Sequence, residues 1–377
     1  MRSMQLPLVR WMGAAAFAAA WLCCLSPAPL LRAQIMDDSI VSQHVRLRTP
    51  IDRSWLGRDS IFELERCWDF IRRATKGSLP SRVLVLIDMN EAASSFDVER
   101  SSISIGMNHP AAAGDLKGYL LHNAARELAR MALLTLSEGG VSREENRFLV
   151  EGMAEVLARE FSSTTKRLAT AWAICYYLDR MAPLGLKELA NRPEVFSGGD
   201  LRAAAPGITF LTFCRELYGR DRILKLFESL AQKSLQDSLK TAFQQPAASL
   251  QAEWLKRVRS YVPGDVTATG EDRAPGLERV SFAPEQAKAG APLAMRVFTR
   301  DGDRDLLPDG IFVVDETSGR VLQGLPAKPA EGSYVLFTIP IEAERAAGQH
   351  RVRIIAIDEG GNLRGWDAHY SVVPPAS

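Results

Sequence analysis

Two short charged segments, 25 residues apart, carry the side chains whose types and spacing could support chemistry. The first contains Arg126, Glu127 and Arg130, and the second contains Glu151 and Glu155. A guanidinium group stays protonated and has no free lone pair, so an arginine cannot be a metal ligand. It can form paired hydrogen bonds with a carboxylate. These residues therefore favour ion pairing between two helices over metal binding by the arginines.

Histidines are scarce, with five in the chain, at 44, 109, 122, 350 and 369. No two of them are three or four residues apart, so no helix can offer two imidazoles to one metal ion. The 46 basic residues nearly balance the 45 acidic ones, which removes the usual electrostatic argument for nucleic acid or an anionic membrane surface as the main partner. A third pattern, Asp301-Gly-Asp303-Arg-Asp305, alternates like a calcium loop but lacks its glycine and its final glutamate, which favours a polar hairpin turn.

The segment from Phe148 to Ala158 resembles the helix "WLxEGxAEY" of the peptidase MA family, a gluzincin group of zinc peptidases. The resemblance implies that Glu151 stands where the family has its third zinc ligand. The first two ligands come from His-Glu-x-x-His, in which the glutamate activates the metal-bound water. Arg126 to Arg130 matches that motif with both histidines replaced and with Glu127 at the general-base position. A second register starts at His122 and keeps one ligand but loses the base; it stands 29 residues before Glu151, and we favour the first.

Other segments extend the resemblance over about 60–262. Residues 82–90 resemble the first core strand of the family, and 101–110 resemble the edge strand before the active-site helix. Residues 211–226 and 249–254 resemble later helices. The family often has a tyrosine ahead of the first of these helices, whereas this chain has Ala203-Ala-Ala-Pro-Gly there. The resemblance thus implies a degenerate site in which zinc is absent and Glu127 is inactive.

We expect Arg126 and/or Arg130 to pair with Glu151, with Glu155 as a second candidate acceptor, so that fork-to-carboxylate hydrogen bonds join the two helices in place of a metal. The alternative is that Arg126, Glu127 and Arg130 form only a solvated helix face.

The order of elements predicts an α+β fold. Helices are expected at about 58–76, 115–136 and 144–161, with two or three more over 165–261, and strands at 82–88 and 101–107. Asp115 can cap the second helix. Residues 35–57 are predicted to be an N-terminal lead-in, 58–262 the peptidase MA-like domain and 263–275 a linker. Alternating apolar runs over 276–374 predict an immunoglobulin-like β-sandwich.

Residues 1–34 have the order of a secretory signal peptide: early arginines, an apolar run over 11–25 and a small-residue region with prolines. The run is shorter than the ~20 residues that span a bilayer comfortably, and an uncleaved anchor remains an alternative. We therefore expect an exported, periplasmic or extracellular protein that binds a peptide or protein partner in the cell envelope. The alternatives are an active metallopeptidase with an atypical metal site and a structural module that binds through its sandwich.

Overall fold

The computed structural model describes residues 37–109, 112, 115–140, 146–162, 166–181, 184–190, 201–264, 275–300, 306–323, 325–327, 334–358 and 361–374. Its elements form an α+β fold, as expected: a sheet and nine helices among these residues are followed by a two-sheet β-sandwich. The predicted signal peptide, most of the linker and the candidate calcium loop at 301–305 lie outside the described residues.

The first sheet has five strands: β1 Asp37–Val41, β2 Val45–Pro50, β3 Val83–Asp88, β4 Ser95–Asp97 and β5 Ser102–Gly106. Their order is β1-β2-β3-β5-β4, and β2, β3 and β5 are parallel. The segment 35–57, expected to be a lead-in, supplies two strands of this sheet, β1 and β2. In β2, Val45, Leu47 and Thr49 are buried and alternate with exposed arginines, a period of two that marks a half-buried strand.

The first three helices begin and end within about four residues of the predicted positions, whereas the described part of 165–261 holds six helices where two or three were expected. The helices are α1 Ser54–Ala74, α2 Leu116–Leu136, α3 Arg147–Ser162, α4 Lys166–Met181, α5 Leu186–Ala190, α6 Leu201–Tyr218, α7 Arg220–Ser229, α8 Leu235–Phe243 and α9 Ala247–Ser260. The Asp115 side chain accepts a hydrogen bond from the Gly118 backbone N–H at 2.8 Å, which caps α2 as expected.

The strand before α2 is not at the edge of the sheet, contrary to the expectation for 101–110. Strand β4 pairs with β5 across Ser102–Ser104 and is itself the edge. Segment 91–93 covers the next position, since a Cβ at Gly106 would lie 2.5 Å from the Ala93 carbonyl oxygen. A peptide therefore cannot pair along this strand as it could along an open edge.

The sandwich contains two mainly antiparallel sheets that share a buried apolar core. The strands of the sandwich are β6 Gly276–Ala283, β7 Gln286–Lys288, β8 Leu293–Arg300, β9 Leu306–Asp315, β10 Arg320–Gln323, β11 Leu325–Ala327, β12 Tyr334–Ile339, β13 Gly348–Asp358 and β14 Leu363–Val373. One sheet has the order β10-β9-β13-β14-β7 and the other has the order β11-β12-β8-β6.

The outer face of the five-stranded sandwich sheet packs against the helical part of the chain. Tyr177 of α4 stacks on Phe312 of β9 with ring centroids 5.6 Å apart, and the Thr170 hydroxyl donates to the Gly361 carbonyl oxygen. Phe312 and Ile355 are buried in the same apolar core as the helices. None of the helices in the described ranges has the length and apolar character needed to cross a bilayer.

Candidate functional site

The two charged segments face each other across the packed helices α2 and α3. Residues of α2 supply His122, Arg126, Glu127 and Arg130, and residues of α3 supply Glu151 and Glu155. We call these six residues the Arg130 cluster. Helix α3 is fixed on its other side by α6, where Gly152 meets Gly207: a Cβ at Gly152 would lie 2.2 Å from the Gly207 carbonyl carbon. This close backbone approach sets the position of the neighbouring Glu151.

Arg130 lies at the centre of the cluster and joins the two helices. Its Nη1 donates to both carboxylate oxygens of Glu127, at 2.8 and 3.1 Å, and its Nη2 donates to Oε2 of Glu151. Glu127 is fully buried, and Arg130 and Glu151 are 9% and 7% exposed. The alternative of a solvated helix face is therefore wrong for Glu127 and Arg130, and the side chain of Arg126 is only 13% exposed.

The other members of the cluster pair differently from the expectation. The Arg126 Nε approaches Glu127 Oε1 at 3.4 Å, and His122 Nε2 lies 3.3 Å from Glu155 Oε2. Arg130 thus makes the expected contact with Glu151, while Glu155 is brought to His122. The contact between His122 and Glu155 was not foreseen, although both residues had been singled out separately.

Burial and charge act in opposite directions on Arg130. Burial alone would lower its pKa, but the charges of Glu127 and Glu151 and their hydrogen bonds outweigh this effect and raise the pKa above its ordinary value. The guanidinium therefore stays charged at every physiological pH. Two guanidinium groups thus lie among three carboxyl groups in the cluster.

The donor set does not suit zinc. A guanidinium group, which cannot ligate a metal, fills the space between Glu127 and Glu151 and uses both carboxylates as hydrogen-bond acceptors. In the described ranges, no group of three or more His, Cys, Asp or Glu side chains is arranged to hold a metal ion. We derive no metal-dependent step from this site.

Access to the cluster from solvent is narrow. The side chains of His122 and Arg126 are each 13% exposed, whereas those of Glu155 and Glu127 are 3% and 0% exposed. A ligand at this surface would first meet His122 and Arg126.

Sequence reasoning missed two structural features of the site. One is Gly207, whose close contact with Gly152 lies in the Ala203–Gly207 segment that had been noted only for a missing tyrosine. The other is the partner of Glu155, since Nε2 of His122 lies 3.3 Å from its Oε2. The small-residue run before Ile208 was a signal for a close helix crossing.

Comparison with known proteins gives no family assignment. No protein-family model and no curated protein matches the chain. Among solved structures, a DUF4785 family protein from Legionella pneumophila is 12% identical over 25% of this chain and 27% of its own, with a TM-score of 0.18. The Lin-41 filamin domain is 18% identical over 26% of this chain and 97% of its own, with a TM-score of 0.18. The DNA glycosylase AlkC of Pseudomonas fluorescens is 11% identical over 68% of this chain and 81% of its own, with a TM-score of 0.20.

Proposed function

We propose that this chain is an exported pseudopeptidase: a peptidase MA-like, gluzincin-type domain whose zinc ligands are lost, followed by an immunoglobulin-like sandwich. The observation that carries the proposal is the position of Arg130, which holds Glu127 and Glu151 together across α2 and α3. In the family resemblance these two glutamates stand at the general-base and third-ligand positions. The guanidinium group of Arg130 would thus replace a divalent metal ion between the two glutamates.

Such a protein acts by binding rather than by hydrolysis. The partner is a peptide or a protein of the cell envelope, and it contacts the surface formed by His122 and Arg126, the members of the cluster with the largest exposed fractions on α2. Burial of Glu127 behind Arg130 leaves this carboxylate no route to activate a water molecule next to a substrate.

The metal hypothesis is tested by measuring zinc in purified protein and in the double variant Arg126→His, Arg130→His. We expect the wild type to bind no stoichiometric zinc and the double variant to acquire zinc through two imidazoles and Glu151. Stoichiometric zinc in the wild type, together with peptide hydrolysis that a chelator abolishes, would overturn the proposal. A folded double variant without zinc binding would move the first ligand position back to His122.

The binding hypothesis is tested by panning a random peptide library against the wild type and an Arg126→Ala variant. We expect a set of related peptides that the wild type retains and Arg126→Ala releases. Arg66→Ala is the matched control, because Arg66 is an exposed arginine on α1 whose guanidinium pairs with Glu63 on the preceding helical turn. Equal retention by the wild type and Arg126→Ala would contradict binding at this surface.

A further inference from the structure

A second group of basic side chains lies at the amino ends of three parallel strands of the first sheet. A cleft of about 380 Å³ opens there. Its polar lining comes from Ser42, His44, Arg46, Arg82, Arg100 and Ser101, and its apolar lining from Val41, Val45, Val83 and Leu84. The cleft shares none of its lining residues with the Arg130 cluster.

The register of the sheet brings the basic residues together. Val45 of β2 lies opposite Val83 of β3, and Leu84 of β3 lies opposite Ser102 of β5. Continued towards the amino ends, this register sets His44 beside Arg82 and Arg82 beside Arg100. Neighbouring strands are ~4.8 Å apart, so three basic residues follow one another across about 10 Å. The two arginines, Arg82 and Arg100, put like charges on directly neighbouring strands, which is destabilising, and a bound anion would offset that cost.

None of the ten described residues that line the cleft carries a carboxylate. Glu65 lies behind it and is already an acceptor for the Ser42 hydroxyl, the His44 backbone N–H at 3.1 Å and the His44 ring. Burial alone would raise the pKa of Glu65, but these hydrogen bonds outweigh it and hold the pKa below its ordinary value.

The arginines of the cleft have weak acidic partners or none among the described residues. Arg100 Nε is 3.6 Å from Asp97 Oδ2, a long contact for an ion pair, and Arg46 Nε donates to the Ser39 hydroxyl at 3.1 Å. Within the described ranges, Arg82 has no ion pair or side-chain hydrogen bond. Among the described residues, the charges of Arg46, Arg82 and Arg100 are therefore poorly balanced.

We propose that this cleft binds a phosphate group, either free or as part of a lipid headgroup. The guanidinium groups of Arg46, Arg82 and Arg100 can each donate two hydrogen bonds. Such a set of donors suits the several oxygens of a phosphate better than the two coplanar oxygens of a carboxylate. At ~30 Å³ for each water molecule, the cleft has room for about a dozen, enough for a phosphate and part of the group attached to it.

The test is calorimetric titration of the full chain with inorganic phosphate at constant ionic strength. We expect saturable binding that becomes at least ~10-fold weaker in Arg82→Gln, because a charge-assisted hydrogen bond to the anion is lost. Arg66→Gln is the matched control: it removes the same charge from an exposed arginine of α1 and is expected to leave binding unchanged. Circular dichroism melting checks that both variants are folded.

Vesicles distinguish the two sources of phosphate. Retention on phosphatidylcholine vesicles containing phosphatidate, measured above retention on phosphatidylcholine alone, indicates a lipid headgroup if Arg82→Gln loses the excess. Saturable binding of inorganic phosphate without that excess indicates a free phosphate ligand. The proposal is overturned if neither probe binds, or if Arg66→Gln weakens binding as much as Arg82→Gln does.

Discussion

Two buried guanidinium groups, Arg130 between the helices and Arg345 in the sandwich, are held in different ways. Arg345 points both terminal nitrogens at one carboxylate, with Nη1 3.2 Å from Asp315 Oδ1 and Nη2 2.8 Å from Oδ2. Arg130 divides its terminal nitrogens between Glu127 and Glu151. The sandwich therefore has one positive group for one negative group, whereas a single cation joins two carboxylates between α2 and α3.

The two sites also differ in how completely their polar atoms are satisfied. Asp315 accepts further hydrogen bonds from the Thr317 backbone N–H at 3.1 Å and the Ser318 hydroxyl at 2.8 Å. Arg130 Nε is buried without a hydrogen-bond partner. In the sandwich pair, each carboxylate oxygen of Asp315 is hydrogen-bonded, as in a structural ion pair. Arg130 has to reach carboxylates on two helices, and its Nε is left without a partner.

The largest expected effect is that of Arg130→Ala. Removal of the guanidinium leaves Glu127 and Glu151 buried and facing each other without their shared cation, which should lower the free energy of unfolding by ~3–5 kcal/mol. Urea denaturation followed by circular dichroism measures this change. Arg66→Ala, at an exposed position on α1, should change stability by less than ~0.5 kcal/mol. An Arg130→Ala protein as stable as the wild type would refute the role of Arg130 as the link between the helices.

Arg345→Ala should cost less, at about 3 kcal/mol, because only one carboxylate is left behind and it keeps the hydrogen bonds from Thr317 and Ser318. The same denaturation experiment gives the value. Suppose that Arg345→Ala lowers the free energy of unfolding more than Arg130→Ala does. The number of carboxylates left without a cation then does not determine the loss of stability, and the two sites do not differ in the way described.

The third effect concerns the helix crossing that positions Glu151. Gly152→Ala would set a Cβ 2.2 Å from the Gly207 carbonyl carbon, a backbone atom that cannot move without shifting α6. Such overpacking should destabilise the protein by ~1–3 kcal/mol. Gly264→Ala is the control, since a Cβ there meets nothing within 4 Å. Equal stability of the two variants would show that the spacing of α3 and α6 is not critical.

The sequence predicted one of these two buried sites and not the other, for a physical reason. The contact of Arg130 with Glu151 follows from two helical segments at a spacing that resembles a known motif. Asp315 and Arg345 are 30 residues apart, and their meeting depends on how β9 and the segment before β13 are arranged in the sandwich. No local period encodes that arrangement, because strand order is set by pairing between distant segments.

The same reasoning explains which features of the first sheet can be predicted from the sequence and which cannot. The apolar run of β3 identified a buried strand directly, but the place of β5 inside the sheet depended on β4, three residues long and too short for a reliable period. Buried and exposed residues alternate in β2, which indicates a strand, but this pattern is short and the stronger helical pattern of α1 follows it closely. The basic cleft exists only because β2, β3 and β5 are neighbours in register, so it was beyond reach from the sequence.

The smallest expected effect is a pH dependence that belongs to Asp315. Burial alone would raise its pKa, but Arg345, Ser318 and the Thr317 N–H outweigh burial and hold the pKa below its ordinary value. The pKa of Arg345 is raised, chiefly by its hydrogen bond to Asp315, so the arginine stays charged throughout. Because the folded pKa of Asp315 lies below the value of about 3.9 in an unfolded chain, its stabilisation is complete above roughly pH 5 and is lost as the pH falls through the folded pKa.

Asp315→Asn removes this titration while keeping the shape of the side chain. The difference in unfolding free energy between the wild type and Asp315→Asn should therefore be greatest above about pH 5 and should narrow as the pH is lowered towards 3. Urea denaturation at a series of pH values measures this difference. A gap that stays constant between pH 6 and pH 3 would mean that Asp315 is not held ionised by Arg345. The sandwich pair would then lose the one-to-one charge match that distinguishes it from the Arg130 cluster.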